Sequence, residues 1–143
     1  MKELDLEAYL TASGRYPERI KSAELTSEVL TNAARLLSAV RCLLQDLGYK
    51  APVDVTSGFR PSAVNAAIGN ASKKSLHTLG LAVDLMDDRQ QTLGKLIAAS
   101  PEKLKLYKLF IEDIKYTKGA NTNWVHLDLS PTRADRSSRS FVP

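Results

Sequence analysis

Histidine and cysteine are scarce in this chain of 143 residues, with two of the first and one of the second. A single thiol, Cys42, excludes an internal disulfide and any multi-cysteine zinc site. A histidine-based metal site has only His77 and His126 to draw on. Seven Gly and six Pro are too few for a collagenous or linker-dominated chain. No apolar run approaches the ~18 residues of a membrane span. The start, MKELDLEAYL, places acidic groups where a secretory leader needs a basic stretch followed by an apolar one. Synthesis in the cytoplasm without a signal peptide is therefore expected, with delivery elsewhere by some other route. What is present is ordinary for a soluble globular domain: 43% apolar and 25% charged residues, which excludes wholesale disorder. A net charge of +4 favours anionic surroundings without choosing among them. Nucleic acid is not an expected partner, because the basic residues are not interleaved with aromatics and no recognition motif occurs.

The length suits one domain over residues 1–143, with an arm at 1–23 and a tail at 130–143. Residues 4–10 suit a short amphipathic helix, and 11–23 read as a polar, irregular arm. From Thr26 to Leu47 apolar residues recur at three- and four-residue steps, predicting a helix capped by Thr26 or Ser27 and stopped by Gly48. Cys42 falls within it and is expected to be an inert buried thiol. A strand is predicted over 52–57 and a short helix over 62–68, capped by Ser62. A polar loop follows at 69–76 and includes Lys73 and Lys74. Further strands are predicted over 81–85, 107–114 and 124–129, with helices at 88–99 and from Pro101. Helices first, then strands mixed with helices, imply α+β architecture with a small antiparallel sheet and flanking helices.

Both histidines have acidic company beside strands. His77 precedes Asp84 by seven residues, and strand alternation puts Trp124, His126 and Asp128 on one face. Two imidazoles and one carboxylate suffice for a catalytic zinc, which keeps three protein ligands and leaves a fourth position open.

Four blocks in order widen the pattern: Ser57-Gly58-Phe59-Arg60-Pro61, then Asn65, then Ser75-x-His77-x-x-Gly80-x-Ala82-x-Asp84, then Trp124-Val125-His126-Leu127-Asp128. Together they resemble the zinc D-Ala-D-Ala carboxypeptidase and L-alanyl-D-glutamate endopeptidase family, which acts on bacterial peptidoglycan and is common among phage lysis proteins. The resemblance spans roughly residues 25–143. It implies the D-Ala-D-Ala carboxypeptidase-like (hedgehog/DD-peptidase) fold, a Zn2+ cofactor on His77, Asp84 and His126, and peptidoglycan stem peptides as substrate. It also implies an endolysin-like role, as a monomer that reaches the wall after holin-type release or within a virion.

In the same resemblance Arg60 clamps a carboxylate or carbonyl of the stem peptide, in keeping with the bidentate geometry of a guanidinium. Ser75 binds substrate or shapes its own turn. The chain departs from the better-known pattern at Asn123, where many relatives carry a carboxylate three residues before the last histidine. Glu112, Asp128 and Asp113 are the candidate substitutes, with Glu112 favoured because some relatives use a Glu on the preceding strand. Asp128 could instead buttress a ligand or pair with Arg133. The alternative to an enzyme is a zinc-stabilised wall-binding or virion module without an effective base. Trp124 lines the cleft or anchors the core, and the arginines of the tail (Arg133, Arg136, Arg139) are candidates for steering the protein to anionic wall polymers, or a solvated tail with Phe141 pinned to the body.

Overall fold

The computed structural model describes residues 4–12, 20–68, 75–133 and 138–143. Helix α1 (Leu6–Thr11) is capped by Asp5 and is followed by the long helix α2 (Ser27–Asp46). The Thr26 side chain accepts the Val29 N–H at the start of α2, and Gly48 follows its end at φ +68°, as the sequence pattern predicts. Strand β1 (Val55–Ser57), helix α3 (Ser62–Ala67), a 3-10 turn at Leu76–Leu79 and strand β2 (Ala82–Asp87) form the middle of the chain. Helices α4 (Thr92–Ala98) and α5 (Pro101–Leu106) then lead to strands β3 (Phe110–Glu112), β4 (Asn123–Asp128) and β5 (Ser140–Phe141). No helix among the described residues is long and apolar enough to cross a membrane.

The five strands are ordered β1-β2-β4-β3-β5. All pairings are antiparallel except β3 with β5, so the sheet is mixed rather than purely antiparallel. The parallel edge comes from the tail, which returns beside β3 instead of running into solvent. One face of the sheet carries Val83, Leu85, Ile111, Val125 and Leu127, all buried against the Val29, Ala33, Leu36, Leu37, Val40, Leu43 and Leu44 stripe of α2. That face supplies the core, and the opposite face is left for polar side chains.

Four expectations are corrected. Cys42 is exposed: Ser38, Cys42 and Gln45 run along the outer side of α2, away from the apolar stripe. The third strand is three residues long instead of eight. Tyr107 closes α5, and Lys108 takes a left-handed conformation (φ +59°) at the position glycine usually marks, with Leu109 N–H bonded to Leu104 C=O. Helix α4 starts four residues later than predicted, because Asp87 and Asp88 are drawn off to bind the backbone N–H groups of Thr92, Leu93 and Gly94. Ser62 does not cap α3; the Glu24 carboxylate, reaching from before α2, accepts its N–H at 3.1 Å. Residues 1–3 and 13–19 of the predicted arm, Lys73 and Lys74 of the polar loop, and Arg136 lie outside the described residues.

Where β1 turns out of the sheet, Gly58 sits against the backbone of α1. A Cβ there would overlap the Tyr9 carbonyl, whose residue is fully buried with its hydroxyl donating to Ala82 C=O at 2.9 Å. Gly58→Ala is therefore expected to destabilise the protein by about 1–3 kcal/mol. Urea unfolding should show a lower midpoint with an unchanged slope.

Candidate metal centre

The polar face of the sheet carries a transverse row of side chains. Ser57 opposes Asp84, and Asp84 opposes His126. The β3–β4 register, Phe110 with Asp128 and Ile111 with Leu127, continued by one residue brings Glu112 opposite His126. Glu112 in turn opposes Phe141 on β5. Residues directly opposite in adjacent strands share a face, with Cβ atoms about 4.5–5.5 Å apart. Four strands thus deliver a hydroxyl, a carboxylate, an imidazole and a second carboxylate side by side.

His77 joins the row from the 3-10 turn. Ser75 caps that turn, its Oγ accepting the His77 N–H at 3.3 Å, and the Arg60 N–H donates to His77 C=O at 3.1 Å. Gly80 ends the turn at φ +73°, where a Cβ would press on the Val29 backbone. The His77 ring is 3% exposed and its Nδ1 donates to Gly58 C=O at 2.9 Å. That fixes the tautomer and leaves Nε2 facing Asp84 Oδ2 at 3.4 Å. His126 is oriented the same way by a different partner. Its Nε2 lies 2.9 Å from Asp128 Oδ2, and its Nδ1 faces Asp84 Oδ1 at 2.9 Å.

Three ligand atoms, one each from His77, Asp84 and His126, lie within 4.8 Å of one another. A tetrahedral ion with bonds near 2.0–2.1 Å spaces its ligand atoms roughly 3.3–3.4 Å apart. His77 Nε2 lies 3.4 Å from Asp84 Oδ2 and His126 Nδ1 lies 2.9 Å from Asp84 Oδ1, near that spacing, so each ring turns one nitrogen to the same carboxylate. The donor set therefore fits a divalent metal of the zinc type, and His77, Asp84 and His126 could hold it.

The electrostatics of the protein alone agree. Burial pushes the Asp84 carboxyl up, but the charge of His77, hydrogen bonds from His126 and His77, and the charge of His126 hold it well below the usual carboxylate range. Burial pushes His77 down, opposed by Asp84 and assisted by Arg60 and His126. For His126 burial is overcome by hydrogen bonds and charge from Asp128 and Asp84, and its pKa is pushed up to about 10.

The remaining candidates fall into distinct places. Asp128 is fully buried and committed. Oδ1 accepts the Ser130 N–H at 3.1 Å, and Oδ2 accepts from Arg133 at 2.6 Å and meets His126. It braces His126 and pairs with Arg133. Asp113 is turned into the next bend, capping the Ile114–Tyr116 turn through Lys115 N–H at 3.0 Å. Asn123 lies at the start of β4, an odd number of residues from His126. Its amide accepts the Gly119 N–H and donates to Asp88 C=O and Arg89 C=O, bracing two loops. Glu112 is half-buried, and burial raises its pKa, with the His126 charge opposing and Asp84 and Asp128 reinforcing. Arg60 donates from Nε to Ser57 Oγ at 2.8 Å and from an Nη to Asp84 Oδ2 at 3.2 Å, at the edge of the row. Trp124 lies opposite the exposed Met86 on the same face as His126 and is half-buried, so it borders the site and does not belong to the central core.

Two contributions were invisible in the sequence. The Gly58 carbonyl that orients His77 is a backbone group and leaves no residue-type signal. Phe141 stands edge-on to His126 with ring centroids 5.8 Å apart, and the Arg133 guanidinium stacks on it at 3.8 Å. Arg139 is buried over Phe110. The described tail arginines, Arg133 and Arg139, are thus packed into the body, where the expectation was a tail that steers the protein or is solvated; Phe141 is pinned, as its apolar ring suggests.

No curated protein and no solved structure matches the chain. The pattern that defines the family described as Peptidase M15 matches residues 16–128, a stretch holding both histidines, Asp84, Arg60 and Glu112. With most of its length matched and a His-Asp-His cluster able to hold a metal, the chain belongs to the peptidase M15 family of metallopeptidases.

Proposed function

We propose that the protein is a zinc peptidase that hydrolyses an amide bond in the stem peptides of bacterial peptidoglycan, of the D,D-carboxypeptidase or L-Ala-D-Glu endopeptidase type. The D-Ala-D-Ala carboxypeptidase-like fold goes with this reading, as does a monomer acting on the cell wall as an endolysin or virion component of a phage or prophage. The observation that carries it is the row Asp84–His126–Glu112, which sets a carboxylate committed to no cap or ligand brace beside the residues able to hold the metal.

In this reading His77, Asp84 and His126 hold Zn2+. Bound there, the ion would polarise the scissile carbonyl and acidify water near neutral pH. Glu112 takes the proton of the attacking water and returns it to the leaving amine nitrogen. Its half-buried position keeps its pKa above that of an ordinary carboxylate, closer to the working pH of a proton shuttle. Asp128 and the Gly58 carbonyl hold the two rings in the orientations the site needs. Arg60 binds a carboxylate or carbonyl of the substrate, and Ser75, whose hydroxyl caps the His77 turn, has a positioning role. The non-catalytic alternative rested on Asn123; Glu112 in the row supplies the function that Asn123 lacks.

The test is digestion of purified peptidoglycan by the zinc-loaded protein, with the released muropeptides identified by mass spectrometry. Cleavage of one stem-peptide bond, abolished by chelation and restored by Zn2+, is expected. An intact wall preparation under those conditions would leave the non-catalytic reading in its place.

Arg60→Ala separates a clamp from a mere partner of Asp84. A lost charge-assisted contact of about 2–3 kcal/mol corresponds to a ~10²-fold fall in kcat/KM. If Arg60 binds substrate, KM carries much of the fall and metal content is retained. A fall accompanied by loss of metal would assign Arg60 to holding Asp84.

A further inference from the structure

A cavity of about 600 Å³ lies between the outer side of α2, the end of α5 and the start of β3, and its lining residues are not those of the metal centre. Four cations line it: Arg35 from α2, Lys105 and Lys108 around the end of α5, and Arg139 from the tail. Among the described residues Glu28 is its only carboxylate. Three of these cations are exposed and could be satisfied by water. Arg139 is 7% exposed, and its Nε and one Nη are buried without a hydrogen-bond partner among the described residues. Its one described contact of note is with Phe110, whose ring lies 4.4 Å from the guanidinium carbon.

A buried guanidinium with unmade hydrogen bonds is costly, because each lost bond to a charged donor forfeits its desolvation. The Phe110 face offsets part of the charge but accepts neither N–H. An oxyanion in the cavity can meet the Nε–H, since Nε and the Nη on its side form a fork that matches two oxygens of one group, while the buried Nη lies on the other side of the guanidinium. The excess of cations over carboxylate favours a group with more than a single negative charge. We propose that this cavity is an anion site that binds a phosphate group, through the Arg139 fork with Arg35, Lys105 and Lys108 completing the charge. The site stands independently of the peptidase reading and of any metal. Its ligand is either a small phosphoester or a unit of a phosphate-bearing polymer.

Nitrogen–proton NMR of the full-length, zinc-loaded protein tests this by following the Arg139 Nε–H as inorganic phosphate is added. A saturable shift is expected, absent when chloride replaces phosphate at equal ionic strength. The double variant Arg35→Gln/Lys108→Gln alters only exposed side chains and should weaken binding at least about tenfold with the fold intact. Arg139→Lys keeps the charge, loses the fork, and should also weaken it. Glycerol phosphate and a short poly(glycerol phosphate) then separate the sources, tighter binding of the oligomer assigning a polymer and equal or weaker binding a small phosphoester. The proposal is overturned if Arg139 shows no saturable response, if acetate acts as strongly as phosphate, or if binding survives the double variant, as it would for phosphate seated at the metal centre.

Discussion

Replacing His126 by Ala is expected to empty the metal site and abolish peptide hydrolysis. Asp84 opposes His126 across the β2–β4 ladder and lies 2.9 Å from its Nδ1, so removal of the ring leaves two ligand atoms where the site needs three. His77→Ala should do the same from the other side. The comparison that gives this content is Asp128→Asn, which leaves every ligand in place and disturbs only the partner that orients His126. Loss of an outer partner of that kind costs roughly 10–100-fold in metal affinity or activity. The histidine variants should exceed that range and Asp128→Asn should fall within it. Metal content after dialysis, and activity against added Zn2+, read both. A metal retained by the His77→Ala/His126→Ala double variant would mean that the ion binds elsewhere. The scaffold should tolerate the single changes, because Arg60 still pairs with Asp84 and the core face of the sheet is untouched.

How much of this was legible in the sequence follows the kind of interaction involved. Periodicity found α2, because its apolar stripe is a local property of one segment. All four strands of the main ladder are legible, and the alternation over 124–129 places Trp124, His126 and Asp128 on one face; that Asp84 shares it depends on the pairing of β2 with β4. The edge strand β5 was not, since two residues carry no period, and only its parallel register with Ile111 and Glu112 makes it a strand. The third strand is shorter than its run of β-formers suggests, because Lys108 stands in a left-handed position without the glycine that flags one. Cys42 was misplaced by residue type: a thiol reads as buried, but its angular position on α2 put it outside. Arg133 was half-legible. Its pairing with Asp128 could be anticipated from spacing, whereas its stacking on Phe141 depends on a chain return that no local pattern encodes.

Glu112→Gln should leave metal content and folding stability nearly unchanged while removing most of the activity, by about 10²–10⁴-fold, the usual contribution of a positioned acid–base group. The substitution keeps the volume and a hydrogen-bonding end and removes the ability to accept a proton. Stability should hold, because a half-buried carboxylate whose pKa is raised by desolvation is less stable as an anion than it would be in water. A group held for stability shows the reverse: its folded pKa is depressed, and charge removal costs free energy. The direction of the shift gives a second readout. With a folded pKa above the unfolded one, ionisation of Glu112 subtracts stability as pH rises through that interval, so the metal-free wild-type protein should gain less stability there than metal-free Glu112→Gln does. The activity that depends on Glu112 should instead appear as the carboxylate forms and be missing from the variant at every pH. Asp128→Asn and Asp113→Asn complete the experiment, because both carboxylates are already spent, one on His126 and Arg133 and the other on the Lys115 N–H. If Glu112→Gln keeps wild-type turnover while Asp128→Asn loses it with metal retained, the proton is taken by the carboxylate behind His126 and not by the one beside it.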